Sequence, residues 1–215
     1  MISILMPIYN GIEFIDESVS SVLRQSYEQW ELIIAINGHP CDSEVYKTAK
    51  KYEKSNNKIK VVDFYDTTGK ANTLNRMVSL CKYDYIALLD VDDIWMNNKL
   101  IIQTQVLDNF DIIGSKCVYF GDMSGIIPDI PTGDISNFDF KRVNPIINSS
   151  CIVRKELCYW NENGIEDYDL WLRLRKDGRK FYNFKEILVK HRIHNDSAFN
   201  SKGNHLKVSD LLKNF

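Results

Sequence analysis

Tyr85-Ile86-Ala87-Leu88-Leu89, closed by Asp90-Val91-Asp92-Asp93, is the stretch on which the fold turns. Apolar residues with no polar interruption fit a strand buried on both faces, as in the interior of a parallel sheet. Strand-like runs occur three times earlier in the chain, at 2–6 with Ser3 inside it, at 32–36 uninterrupted, and at 59–64 with Lys60 and Asp63 inside it. Pro7 and Asn10-Gly11 punctuate the first run, and Asn37-Gly38 closes the second. Helical periods lie between the runs. Ile15, Val19, Val22 and Leu23 repeat at helical spacing within 12–24, residues 43–54 read as a charged surface helix, and Leu74, Met77 and Val78 share one side of 71–80. The series β-α-β-α-β-α-β predicts a doubly wound α/β architecture, with a parallel sheet covered on both faces.

The remainder is less regular. Residues 112–120 and 146–153 read as strands, 167–176 as a short helix and 181–194 as a strand pair or hairpin. The Gly-, Pro- and Asp-rich stretch 121–141 reads as a long loop, the kind that often serves as a lid. A polar tail from about 195 carries a weak helix near 206–212. With 215 residues and no internal repeat or linker, one domain is expected over 1–215. The 27 basic residues nearly balance 29 acidic ones, giving a net charge of −2, so no whole-chain field favours nucleic acid. Five scattered cysteines include no Cys-x-x-Cys and suggest free thiols in a reducing compartment. No run approaches the ~20 apolar residues that span a bilayer. A cytoplasmic protein is expected, with peripheral membrane contact as the variant.

In open α/β sheets ligands bind beyond the carboxyl ends of the strands. That rule gathers Pro7-Ile8-Tyr9-Asn10, Asn37-Gly38-His39, Asp66-Thr67-Thr68-Gly69-Lys70 and Asp90-Val91-Asp92-Asp93 on one rim. Clustered carboxylates repel one another unless a cation or proton intervenes. Asp90 and Asp92 can offer hard oxygens to Mg²⁺ or Mn²⁺; the competing reading is a turn capping a helix near Asn97. Magnesium held by one or two carboxylates commonly completes its shell with phosphate, which points to a nucleotide or diphosphate. Pro7 and Tyr9 can wall a base, or simply end a strand and pack a ring. Lys70 beside Gly69 can meet a phosphate at a helix start, or be an ordinary surface lysine.

Taken in order, Ser3-Ile4-Leu5-Met6-Pro7-Ile8-Tyr9-Asn10, the helix from Glu13 through Ser18-Val19-Ser20-Ser21-Val22-Leu23-Arg24-Gln25-Ser26-Tyr27, Ala87-Leu88-Leu89-Asp90-Val91-Asp92-Asp93-Ile94-Trp95 and Glu166-Asp167-Tyr168-Asp169-Leu170-Trp171-Leu172-Arg173-Leu174 resemble glycosyltransferase family 2. The likeness runs from about residue 3 to 194. It implies a GT-A fold, with a Rossmann-like, mostly parallel central sheet and helices on both faces. It also implies inverting transfer from a nucleotide-sugar donor, a UDP-sugar above all, to the hydroxyl of a glycan, glycolipid or glycoprotein acceptor, with Mn²⁺ or Mg²⁺ as cofactor. By the same resemblance Pro7, Tyr9, Glu13, Asn37, Lys70, Asp90, Val91 and Asp92 contact the donor, Asp90 and Asp92 form the Asp-X-Asp metal site, and His194 is a further metal ligand. Glu166-Asp167 resembles the family's catalytic carboxylate pair, with Asp167 as general base. Direct inversion needs such a group, because one carboxylate must take the acceptor hydroxyl's proton as its oxygen attacks C1.

Other readings of these residues stand beside the resemblance. The acids of 166–169 also suit a helix N-terminus, where Asp169 and Arg173 can pair at i,i+4. Lys190, Arg192 and His194 share one face of a strand that can approach a diphosphate or form a solvated edge. Trp95 and Trp160 are candidates to stack on a sugar, while Trp171 is expected in the core. Two departures from the family pattern bear on the donor. Asn37-Gly38-His39 stands where paired Asp commonly precedes Gly, and Leu74-Asn75 stands where an Arg is often found before the Asn. Two other classes compete: a nucleotide-sugar binding protein without turnover, and a phosphohydrolase using Asp90 as nucleophile and Asp92 as acid/base.

Overall fold

The computed structural model describes residues 1–162, 165–194 and 204–215. Its strands are β1 (Ile2–Ile8), β2 (Trp30–Asn37), β3 (Ile59–Phe64), β4 (Tyr85–Leu88), β5 (Ile94–Trp95), β6 (Ile112–Gly121), β7 (Gly133–Asp134), β8 (Ile152–Arg154) and β9 (Phe181–Ile193). Its helices are α1 (Ile15–Leu23), α2 (Glu44–Ser55), α3 (Lys70–Val78), α4 (Lys99–Gln103), α5 (Glu166–Lys176) and α6 (Asn204–Leu212). The strands form one sheet in the order β3-β2-β1-β4-β8-β6-β9-β5, with β7 added against β9. The first four are parallel, as the β-α alternation predicts, and all eight residues of β2 are buried.

The pleat of β1 sends its residues to two cores. Ile4, Met6 and Ile8 face the layer of α1 and α2, packing with Val19, Val22 and Ala49. Leu5 faces the opposite layer, with Ala71, Leu74 and Met77 of α3 and Leu170 and Trp171 of α5. Ser43 caps α2 by accepting the Tyr46 amide at 3.2 Å, so an exposed, charged segment still starts cleanly. Within α5 the Asp169–Arg173 pair forms at 2.8 Å, as the i,i+4 spacing predicts.

Three expectations change in the second half. Residues 181–194 are not a hairpin: β9 is one 13-residue strand, parallel to β6, with register shifts at Ser115–Cys117 absorbing irregular pairing. Its charged positions do not break it, because their side chains leave the sheet on alternate faces. Residues 146–153 are not one strand either. A 3₁₀ turn at Asn148–Ser150 precedes the three-residue β8, since asparagine and serine side chains bond backbone groups locally and compete with ladder pairing. The loop 121–141 is anchored along its second half. β7 pairs with β9, and Ile130, Ile135 and Phe140 are buried. Only Met123, Ile126 and Ile127 present large apolar side chains to solvent there. Residues 195–203 of the expected tail lie outside the described residues, and α6 beyond them packs Leu211 against the second core.

Candidate active site

The carboxyl ends of β1, β2 and β4 meet at a cleft of about 690 Å³. Pro7, Tyr9, Glu13, Lys70, Asp90, Val91, Asp92 and His194, eight of the residues expected there, line it, joined by His39 and His191. Asn37 is buried at the end of β2 and does not line the cleft. Two glycines let the rim close up. A Cβ on Gly11 would sit 3.0 Å from Val91 Cγ1, and one on Gly38 would sit 2.9 Å from the Tyr9 ring; both residues have φ above +70°. Tyr9 therefore lies over Gly38, with the His39 ring 5.3 Å away and His39 Nε2 2.5 Å from the Tyr9 carbonyl.

The acidic cluster divides its labour. Asp90 is saturated by protein: Oδ1 meets Lys70 Nζ at 2.5 Å and Oδ2 accepts from Asn148 at 2.9 Å. Burial pushes its pKa up, but Lys70 and Asn148 outweigh burial and hold it below the usual carboxylate value. Asp92 is left in deficit. Burial, then Asp93 and Asp90, push its pKa up to about 6, and its neighbour is His194, with Nε2 3.1 Å from Oδ2. Asp93 is wholly buried and structural. Both its oxygens lie 3.0 Å from His191 Nδ1, and it accepts the Arg192 amide at 2.9 Å. Burial pulls the His191 pKa down, but Asp93 overrides it and lifts the imidazole to about 9.

Among the described residues no group of three or more His, Cys, Asp or Glu side chains stands ready around a metal ion. The donor set nevertheless fits a cation that takes part of its shell from phosphate. Asp92 is an under-compensated carboxylate beside an imidazole, and Mg²⁺ commonly binds through one or two carboxylates plus phosphate oxygens.

Glu166 and Asp167 open the first turn of α5, across Lys70 from Asp90. Burial pulls the Lys70 pKa down, yet Asp90, Glu166 and Asp167 together raise it above its ordinary value. Burial and the Glu166 charge hold Asp167 above the usual carboxylate pKa, while Lys70 pulls the other way. The two acidic groups, distant in sequence, thus share one field around a single ammonium.

Some expectations fail here. Trp95 and Trp160 are each 1% exposed and belong to the core, so neither can stack on a sugar. Of the basic face only His194 lines the cleft. Arg192 is held between the Phe14 and Phe120 rings and bonds Glu17 and the Asp92 carbonyl, and Lys190 is exposed away from the cleft. His191, His39 and Asn148 had no role assigned from sequence. His39 lay within the rim stretch, and the polar Asn-Ser-Ser interrupting an apolar run was the available signal for Asn148.

A model of the family described as "Glycosyl transferase family 2" matches residues 3–158. The chain belongs to glycosyltransferase family 2. This family 2 protein is 28% identical to the O-antigen biosynthesis glycosyltransferase WbnJ of Escherichia coli over 209 residues, 92% of this chain and 82% of the relative. It is likewise 28% identical to the UDP-Glc:alpha-D-GlcNAc-diphosphoundecaprenol beta-1,3-glucosyltransferase WfgD of Escherichia coli, over all of this chain and 86% of that one. Among solved structures, Staphylococcus aureus TarS 1–349 in complex with UDP-GlcNAc superposes with a TM-score of 0.75 at 17% identity, covering 93% of this chain. Mannosyltransferase PcManGT from Pyrobaculum calidifontis in complex with GDP-Man and Mn²⁺ gives 0.69 at 13% identity over 92%. This chain spans 60% of the TarS chain and 58% of the PcManGT chain. The fold is the expected mixed α/β, GT-A arrangement, and the protein is a glycosyltransferase acting on glycans or glycoconjugates.

Proposed function

We propose that this glycosyltransferase moves a sugar, with inversion, from a UDP-linked donor to a hydroxyl of a glycan, glycolipid or glycoprotein. What supports this reading is that one short segment reaches both carboxylates, Asn144 to Asp167 at 3.4 Å and Asn148 to Asp90 at 2.9 Å, while Lys70 feels the charge of both. Tyr9, His39 and Pro7 form a wall for the base, Glu13 offers a carboxylate to ribose hydroxyls, and Lys70 at the start of α3 meets the diphosphate. Val91 also lines the cleft, whereas Asn37 lies buried behind it. A divalent cation, Mn²⁺ or Mg²⁺, would be held by Asp92 and His194 with Asp90 beside them, and when bound would offset charge on the leaving diphosphate.

Transfer forms a bond from the acceptor oxygen to C1 and breaks the bond from C1 to the diphosphate oxygen. The electron pair leaves with the diphosphate, and Asp167 takes the hydroxyl proton. Glu166, beside it, favours the protonated product through its charge. UDP is preferred because TarS is seen with UDP-GlcNAc and WfgD is named for UDP-Glc. WfgD's diphosphoundecaprenol acceptor makes a lipid-linked glycan our preferred acceptor class, met at the cytoplasmic face by peripheral contact. A phosphohydrolase is disfavoured, because the family match and the relatives are glycosyltransferases.

Calorimetry with UDP and Mn²⁺ separates the roles. Asp92→Asn is expected to lose metal-dependent UDP binding, whereas Asp167→Asn keeps binding and loses transfer. Equal loss of binding in both would contradict the assignment.

A further inference from the structure

The segment 144–150, expected as part of a strand, instead holds both acidic groups of the site. At one end, Asn144 Nδ2 donates to Asp167 Oδ2 at 3.4 Å. At the other, Asn148 Nδ2 donates to Asp90 Oδ2 at 2.9 Å, and the Ser149 hydroxyl accepts the Asp90 amide at 3.0 Å. Four residues of chain therefore join a carboxylate of α5 to one at the tip of β4, although 77 positions separate Asp90 from Asp167 (167 − 90).

The segment is itself held from three sides. Asn183 of β9 donates to the Pro145 carbonyl at 2.7 Å, the Trp95 indole to the Ser149 carbonyl at 2.7 Å, and Gln103 of α4 to the Ser150 carbonyl at 2.8 Å. Each anchor residue is 1% exposed or less. The donors of all three anchors are paired, although Asn183 Oδ1 accepts no hydrogen bond, and shifting the segment would strand those donors in the interior. Asn144 also fixes its own rotamer, since its Oδ1 accepts the Ile146 amide at 3.3 Å and leaves the amide nitrogen for Asp167.

We propose that Asn144 and Asn148 are positioning residues, and that the strap they belong to sets the placement of the proton acceptor relative to the Asp90 carboxylate. The inference rests on the transferase reading above. Asn148 acts on the nucleotide side: it takes one Asp90 oxygen, so the other is fixed on Lys70. Asn144 acts on the proton-transfer side only, by fixing the rotation of the Asp167 carboxylate.

The two asparagines must therefore fail differently. The assay is hydrolysis of UDP-glucose, UDP-galactose, UDP-GlcNAc and GDP-mannose with Mn²⁺, in which water replaces the acceptor, together with UDP binding by calorimetry. Asn144→Ala is expected to lower kcat for hydrolysis by about 10- to 100-fold, the order that misplacement of a reacting group produces, with donor KM and UDP affinity within twofold. Asn148→Ala is expected to weaken UDP–Mn²⁺ binding by about tenfold or more, the usual cost of losing a partner behind a metal-site carboxylate. Should Asn144→Ala fail to fold, Asn144→Ser keeps an acceptor for the Ile146 amide while withdrawing the donor from Asp167. A purely structural role would lower the melting temperature and move kcat and binding together. Variants that match an active wild type, or that lose kcat and binding in parallel, overturn the inference alone. A wild type that releases sugar from none of the four donors overturns the functional reading and this inference with it.

Discussion

At the residue scale, Asp167 carries the clearest dependence on pH. As the proposed base it must be ionised to accept a proton, and burial beside Glu166 raises its pKa above the ordinary carboxylate value. Turnover should fall as pH drops through that raised value, so the acidic limb of a kcat profile should lie above the usual carboxylate range. A limb at or below the model-peptide value for Asp, about 3.9, would remove Asp167 from the role. This residue was legible in the sequence because it sits in a motif shared with the family. Asn144 and Asn148 were not, because a side-chain amide that acts through another residue leaves no mark in composition or period. His191 carried no assigned role in the sequence. Its partner Asp93 was visible, but the pairing spans 98 residues and depends on β9 running beside β5.

At the element scale, α4 conceals a cost. Lys99 is wholly buried, donates to Gln103 Oε1 at 2.7 Å and lies 4.0 Å from the centre of the Trp95 ring. Burial pushes its pKa down to about 7, with the nearby Cys151 acting weakly in the other direction. The unfolded chain therefore holds a proton that the folded chain releases between about pH 7 and the model-peptide value of about 10.4. By linkage, this contribution to stability rises with pH across that window, by about 1 kcal/mol per unit at most. His191 works oppositely: its pairing stabilises fully below its unfolded pKa of 6.5 and is lost as pH rises through about 9. Lys99→Met should therefore close the gap at low pH and fall progressively behind the wild type from pH 7 to 10, read from urea unfolding at each pH. Parallel curves would show that Lys99 does not titrate there. No sequence rule finds this lysine, since a short helix of mixed composition gives no sign of which face is buried. The first four strands were legible, because apolar-rich runs alternate with helical periods, most cleanly in β2 and β4 where both faces are buried. The short β5, β7 and β8 were not, because two or three residues carry no period.

At the scale of the whole molecule, the sheet passes from a parallel half to a mixed half, and the cleft draws on both. The loop 121–141 borders this second half, and its buried anchors at Ile130, Ile135 and Phe140 confine any movement to about 122–129. If that part closes over the donor, UDP with Mn²⁺ should slow proteolysis within 122–129 and leave the rest unchanged. Unaltered cleavage there would argue against donor-driven closure. Among the described residues no helix is long and apolar enough to cross a membrane. The wider architecture was readable as α/β, but the place where parallel pairing gives way to antiparallel was not, since pairing partners are set by contacts distant in sequence.

The clamp of β9 on the Asp92–Asp93 turn limits how this chain can be divided. A fragment ending near residue 110 would contain all four rim segments and look like a self-sufficient nucleotide module. It would also leave Asp93 without its imidazolium and Asp92 without the guanidinium on its carbonyl, both supplied from about a hundred positions later. Transplanting the first half onto another scaffold should therefore yield a collapsed rim, and swapping acceptor preference between relatives would have to carry the last strand along with the donor loop.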